Sequence, residues 1–154
     1  MTKPIIDFAS KIEAKLAFDL NLIVESGGRY FLLNKNLKAI APRNFFYVGR
    51  YLGKVKDGKF FPSFNLLAIL SETAANKVEV GEKAAWLFIC GRDIFSGGIV
   101  SVQGSHREGD FTLILNEFGE CLGFGKIIGN LSSRNKEVAV RNVSDIGDFL
   151  RREH

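Results

Sequence analysis

Near the start of the chain, Ile5, Phe8, Ala9, Ile12 and Leu16 recur at helical spacing, with Pro4 placed for a first turn. That spacing predicts an amphipathic helix over 4–18. Two β-hairpins are expected next. The first pairs Leu22-Ile23-Val24 with Tyr30-Phe31-Leu32-Leu33 across a turn at Ser26-Gly27-Gly28. The second runs from Phe46 to Val55, turns at Lys56-Asp57-Gly58-Lys59 and returns through Phe60-Phe61; its Asp-Gly pair supplies the positive φ values of a tight turn. Pro62 and Ser63 then introduce a helix with Leu66, Leu67, Leu70 and Ala74 on one face and Asn76 near its end.

From Lys77 the pattern changes to short strands, predicted at 78–80, 85–89, 99–102, 112–115, 122–128 and 137–141. Glycine-rich or polar turns separate them, a spacing that suits a small barrel. One helical turn is expected at 92–96 and a last helix at 144–152. Ser144 or Asp145 would cap that helix, and Ile146, Phe149 and Leu150 would form its buried face. Arg151 and Arg152 fall at its end, where positive charge complements the helix dipole. The fold class is therefore α+β, with a small α+β domain over 1–76 and a β-barrel over 77–154. No Pro- or Ser-rich linker divides them, so close docking is expected.

Composition narrows the class. A hydrophobic content of 46% is that of a globular chain, not a disordered one. The longest apolar stretch, 84–90, is too short to cross a bilayer, and the charged N-terminal region has no signal-peptide core. The expectation is a soluble intracellular protein with no membrane partner. Cys90 and Cys121 both lie in β-like apolar runs with no Cys or His at a metal-ligand spacing, which reads as core thiols and no metal site. His106 has Ser105 beside it, but adjacent strand residues point apart and no paired carboxylate accompanies them. The reading is of an exposed loop histidine, no cofactor and no enzyme.

The net charge of +4 is unevenly spread. Residues 1–76 hold the basic excess and residues 77–154 are almost balanced. Within that second part, however, Lys126, Arg134, Lys136 and Arg141 are opposed only by Glu137. Segregation of this kind presents a basic face, the electrostatic footprint of a nucleic-acid binder.

Three signatures fall in order in the second half: Gly91-Arg92 leading to Ser96-Gly97-Gly98-Ile99, then Leu122-Gly123-Phe124-Gly125-Lys126, then Asp145-Ile146-Gly147-Asp148-Phe149-Leu150-Arg151. Together they resemble a PUA domain, the small β-barrel shared by pseudouridine synthases, archaeosine transglycosylases and ribosome factors. With Leu52-Gly53-Lys54 and the helix after Ser63 in the first half, the whole chain is similar to the Nip-seven family of large-subunit ribosome biogenesis factors. The resemblance implies a non-catalytic RNA-binding protein acting in pre-rRNA processing and large ribosomal subunit assembly, and a monomer is expected. Its partners would be single-stranded or looped pre-rRNA and assembly proteins. It implies a compact archaeal-type member in the cytoplasm, or a nucleolar protein if eukaryotic.

The candidate RNA-binding residues are Lys126, Arg134, Lys136, Arg141, Arg92, Gly97 and Gly98. The four late cations would neutralise phosphates, or simply solvate a strand and its loop. Glycines at 97 and 98 let backbone N–H groups approach a phosphate, or serve a helix end and the start of a strand. Arg92 would add a phosphate contact, or pair with Asp93 or Glu120. In the first half, Lys38, Arg43, Arg50, Lys54, Lys56 and Lys59 interleave with Phe45, Phe46, Tyr47, Tyr51, Phe60 and Phe61. That pattern reads first as a hairpin with its aromatic face in the core and its lysines in water, and second as a nucleic-acid or protein-partner surface. The alternative to an RNA binder is a protein–protein adaptor in an RNA-processing complex with little RNA affinity of its own.

Overall fold

The computed structural model describes residues 1–40, 48–133 and 137–152. Helix α1 (Lys3–Lys11) buries Ile5, Phe8 and Ala9. It ends well before the predicted limit because Glu13 adopts a left-handed conformation, φ 52°, and turns the chain away. Leu16 therefore reaches the core from a loop and not from the helix face. Strands β1 (Ile23–Ser26) and β2 (Arg29–Leu32) form the first expected hairpin.

A short helix the pattern did not announce, α2 (Lys35–Ile40), follows; the Asn34 carboxamide accepts from the Leu37 N–H at 2.7 Å. Strands β3 (Arg50–Lys56) and β4 (Lys59–Pro62) make the second hairpin, with Asp57 and Gly58 at positive φ in its turn. Phe46 and Tyr47, expected to begin it, lie outside the described residues. Helix α3 (Phe64–Ser71) starts at Ser63, whose Oγ accepts from the Leu66 N–H at 3.2 Å and donates to the Tyr51 carbonyl at 2.6 Å. Leu66, Leu67 and Leu70 are buried as expected, but Ala74 is exposed and Ala75 enters the core instead.

Strand β5 (Lys77–Val80) opens the second half. The run predicted as a strand at 85–89 is helix α4 (Glu82–Ile89). Its packed residues, Ala84, Ala85, Phe88 and Ile89, sit at helical spacing, and Gly81 and Glu82 supply a helix start. An apolar run of that length carries no strand-specific period, and its alanines favour a helix. The segment 92–96, read as a helical turn, is instead extended. It carries β6 (Ile94–Phe95), then a 3-10 turn (Ser96–Gly98) leading into β7 (Ile99–Gln103). Strands β8 (Phe111–Leu115), β9 (Cys121–Ile127) and β10 (Val138–Asp145) and helix α5 (Ile146–Arg152) complete the chain.

The strands form two sheets, ordered β1-β2-β3-β4 and β6-β10-β9-β8-β5-β7. The six-stranded sheet curls into a half-barrel around Val78, Val80, Phe88, Ile94, Ile114 and Val140. A second core joins α1, α3 and the first sheet to Leu113 and Phe124 of the second. The two halves thus share one apolar interior. Asn76, fully buried, stitches them together. Its N–H donates to the Ile12 carbonyl at 2.8 Å and its Nδ2 to the Phe111 carbonyl at 3.1 Å, and its Oδ1 accepts from the Ser105 N–H at 2.9 Å.

Strand β9 serves both interiors because it contains a bulge. Gly123 lies opposite Ile114 and Cys121 opposite Leu115, so Leu122 is an extra residue. Gly123 takes a φ of 148°, and a side chain there would collide with the Ser144 carbonyl. Leu122 faces the half-barrel interior, whereas Phe124 faces the core shared with the first half. Beyond the bulge the alternation continues: Ile127 turns into the half-barrel, and Lys126 stays on the Phe124 side.

Helix α5 closes one end against α4. Asp145, 2% exposed, accepts from the Asp148 N–H at 2.8 Å, from Asn142 Nδ2 at 3.0 Å and from Arg151 Nη2 at 2.9 Å. Arg151 Nη1 reaches on to the Ile89 carbonyl at 2.7 Å. Gly147 lies so close to that carbonyl that a Cβ could not be accommodated. Asp145 is thus the expected cap. Ile146, by contrast, is 38% exposed, so it does not form the buried face the spacing predicts.

Candidate nucleic-acid interface

Lys126 on β9 and Arg141 on β10 are direct cross-strand partners, and Phe111 on β8 is the partner of Lys126 on its other side. Side chains directly opposite in an antiparallel pair stand about 4.5–5.5 Å apart at Cβ, and like charges there repel. Among the described residues neither cation takes part in an ion pair. They line an open cleft of ≈ 690 Å³ with Glu108, Gly109, Ile127 and Ile128. Two adjacent cations thus face an open cleft that also holds one acidic residue, Glu108, and among the described residues no ion pair joins Glu108 to either of them.

The loop along this cleft is fixed in place. The Gly109 N–H donates to the Ile127 carbonyl at 2.7 Å and the Ile127 N–H to the Asp110 carbonyl at 2.9 Å. The Asp110 carboxylate accepts from Ser105 Oγ and from Arg107 Nε. The Ser105 hydrogen bond, followed by the charge and hydrogen bond of Arg107, holds its carboxyl below the usual 3.8. Asp110 therefore stays ionised and occupied by its own loop.

The remaining candidates are placed elsewhere. Arg134 and Lys136 lie outside the described residues. Asn142, next to Arg141 and so on the opposite face of β10, bonds the Phe88 carbonyl at 2.9 Å and the Arg92 carbonyl at 3.3 Å. Arg92 thus belongs to the α4 side of the sheet, away from Lys126 and Arg141. It is exposed and pairs with neither suggested acid. The Asp93 carboxylate accepts from the Asn142 N–H, and that of Glu120 from Asn116 Nδ2. Gly98 has a packing role: a Cβ there would stand 2.6 Å from the Ala84 Cβ, and its carbonyl accepts from the Gly81 N–H at 2.9 Å. Gly97 is exposed in the 3-10 turn.

In the first half, Lys54, Lys56 and Lys59 are exposed on the second hairpin, Phe60 packs against the shared core, and Phe61 is 42% exposed. The first of the two readings of that pattern fits Phe60 and the three lysines but not Phe61, which stays out of the core. Arg43, Phe45, Phe46 and Tyr47 lie outside the described residues. Sequence reasoning missed Phe111 as a neighbour of Lys126, because that adjacency comes from strand register and has no local signal.

A curled six-stranded sheet with β5 parallel to β8, closed at one end by α4 and α5, is the half-barrel of a PUA-type domain. The UPF0113 PUA domain matches residues 76–154, half of the chain, and the chain belongs to that family. A UPF0113 protein of Archaeoglobus fulgidus is 28% identical over 141 residues, covering 86% of this chain and 79% of that one. Among solved structures, a conserved PUA domain protein from Thermoplasma acidophilum shares the fold at a TM-score of 0.64. It is 21% identical and covers 99% of this chain and 93% of its own. A PUA domain from Aeropyrum pernix K1 aligns at a TM-score of 0.51 and 25% identity, over 61% of this chain and 56% of that chain. Membership of a PUA family points to RNA as the ligand class. Among the described residues no helix is long and apolar enough to cross a membrane.

Proposed function

We propose that the protein is a non-catalytic RNA-binding factor of ribosome assembly, gripping single-stranded or looped pre-rRNA through Lys126 and Arg141. The observation that carries the reading is their cross-strand adjacency without an ion-pair partner among the described residues. Like charges directly opposite repel, and a nucleic-acid backbone supplies anions at regular intervals to join such a pair. Membership of the UPF0113 PUA family supports RNA as that anion, and the sequence resemblance to the Nip-seven family suggests a role in large-subunit maturation. In this reading residues 1–76 form a pre-PUA domain that docks on the barrel and supplies a surface for an assembly protein.

The test is a fluorescence titration of single-stranded RNA across a salt series with wild type and Lys126→Ala/Arg141→Ala. The double variant should bind at least tenfold more weakly, and its salt slope should fall by about 1.4, the share of two single-strand phosphates. Equal affinity and slope would remove these residues from the interface.

The adaptor reading has one observation in its favour. Trp86 on α4 is 64% exposed, and exposed aromatics enrich protein interfaces. It predicts a stable complex with an RNA-processing protein and negligible RNA binding by wild type.

A further inference from the structure

We propose that the groove between α1, the β3–β4 hairpin and the outer face of β8–β10 is a base pocket, taking one unstacked nucleobase from the RNA whose backbone lies on Lys126 and Arg141. The inference rests on the RNA-binding reading above and extends it to a second, aromatic subsite.

The groove has a volume of ≈ 500 Å³, in the range of small-ligand pockets. Its floor is aromatic. The Phe111 and Phe124 ring centroids lie 6.1 Å apart, and Phe124 meets Phe8 edge-on at 5.1 Å. Its rim is basic: Lys3, Lys11 and Lys59 line it, with Asp7 the acidic residue among them. The Lys11 ammonium stands 5.7 Å from the centre of the Phe111 ring, a cation–π contact on a long flexible side chain. That chain can swing off the ring to a phosphate as a base replaces it.

Register makes the groove continuous with the cationic cleft. Phe124 and Lys126 are two residues apart on one face of β9, about 6.6 Å along the strand. Phe111 is the cross-strand partner of Lys126. Val143, 47% exposed, lines the groove two residues beyond Arg141 on β10. A polyanion lying on Lys126 and Arg141 thus has a ring-floored recess beside it. Aromatic floors with basic rims are how proteins hold single strands, because every base presents a π-face. An apolar peptide would leave the three rim lysines without partners.

The experiment compares a short fluorescein-labelled oligouridylate with an abasic oligomer of the same length. Wild type and the Phe111→Leu, Val143→Met and Lys126→Ala/Arg141→Ala variants are each titrated, after thermal melts confirm folding. Wild type should prefer the base-bearing strand at least tenfold. Phe111→Leu, and independently Val143→Met at its half-exposed position, should abolish that preference while leaving the salt slope unchanged. Wild type binding both strands within twofold would overturn the pocket while leaving the cationic strip intact. So would a preference that survives in both groove variants, which would place base contacts elsewhere. Wild type binding neither strand would overturn the RNA reading and the pocket with it.

Discussion

Burial pushes the Cys121 thiol on β9 up to about 11, against smaller opposing effects of the Gly123 backbone and Lys77. The thiolate is the reactive form, so at neutral pH Cys121 is protonated as well as partly shielded. Cys90 is exposed at the C-terminal end of α4. The sequence reading of two core thiols is therefore wrong for Cys90. Its apolar run is a helix, and Cys90, the residue that ends it, turns out of the core. Labelling the native protein with a thiol reagent at neutral pH should modify one cysteine rapidly, and Cys90→Ser should remove that fast phase. Two fast thiols in wild type would contradict the burial of Cys121. Single residues were legible where local chemistry decides them, as with Ser63 and Asp145 as caps. They were illegible where distant backbone decides them, as at Gly147 and Gly98, whose small size answers to the Ile89 carbonyl and the Ala84 methyl.

Among elements, α5 departs from its amphipathic pattern at Ile146, while the side chains of Phe149 and Leu150 lie outside those described. With Ile146 at 38% exposure, the described side chains that hold it are polar: Asp145, Asn142 and Arg151, linked to the α4 carbonyls of Phe88 and Ile89. Asp145→Ala removes the cap and the carboxylate that accepts from Asn142 and Arg151, a loss of roughly 2–4 kcal/mol. Chemical denaturation should show it as a fall in midpoint, with hydrogen exchange faster first in α4 and α5. An unchanged midpoint would mean that apolar contacts hold the helix after all. Hairpins, α3 and most half-barrel strands were readable because turn chemistry and a period of two mark them. Helix α4 was not, since a short apolar run is ambiguous between strand and helix until its partners are known.

At the scale of the whole molecule, Phe8, Leu70, Leu113 and Phe124 belong to one interior although they come from both halves, and Asn76 bonds to each. The chain should therefore unfold as a unit. Phe8→Ala, which lies in the first helix, should cost about 3–5 kcal/mol. Amides of β8 and β9 should lose exchange protection in step with those of β2 and β3. A variant in which the first sheet melts while the half-barrel keeps its protection would show two independent units. The candidate interface was half legible for the same reason. Lys126 and Arg141 stood out as charges, but their adjacency to each other, and that of Lys126 to Phe111, exists only once three strands are in register.

The extra residue in β9 decides on which side of the wall the cationic strip stands. Excising Leu122 would shift the frame of one stretch of the strand against the other. Either Phe124 and the Lys126 ammonium would turn into the half-barrel while Ile127 is thrown out of it, or the stretch before the kink would flip and carry Cys121 across the wall. A backbone irregularity thus writes the address of a charge that the local sequence merely supplies. Anyone transplanting this strip onto another barrel has to transplant the kink as well.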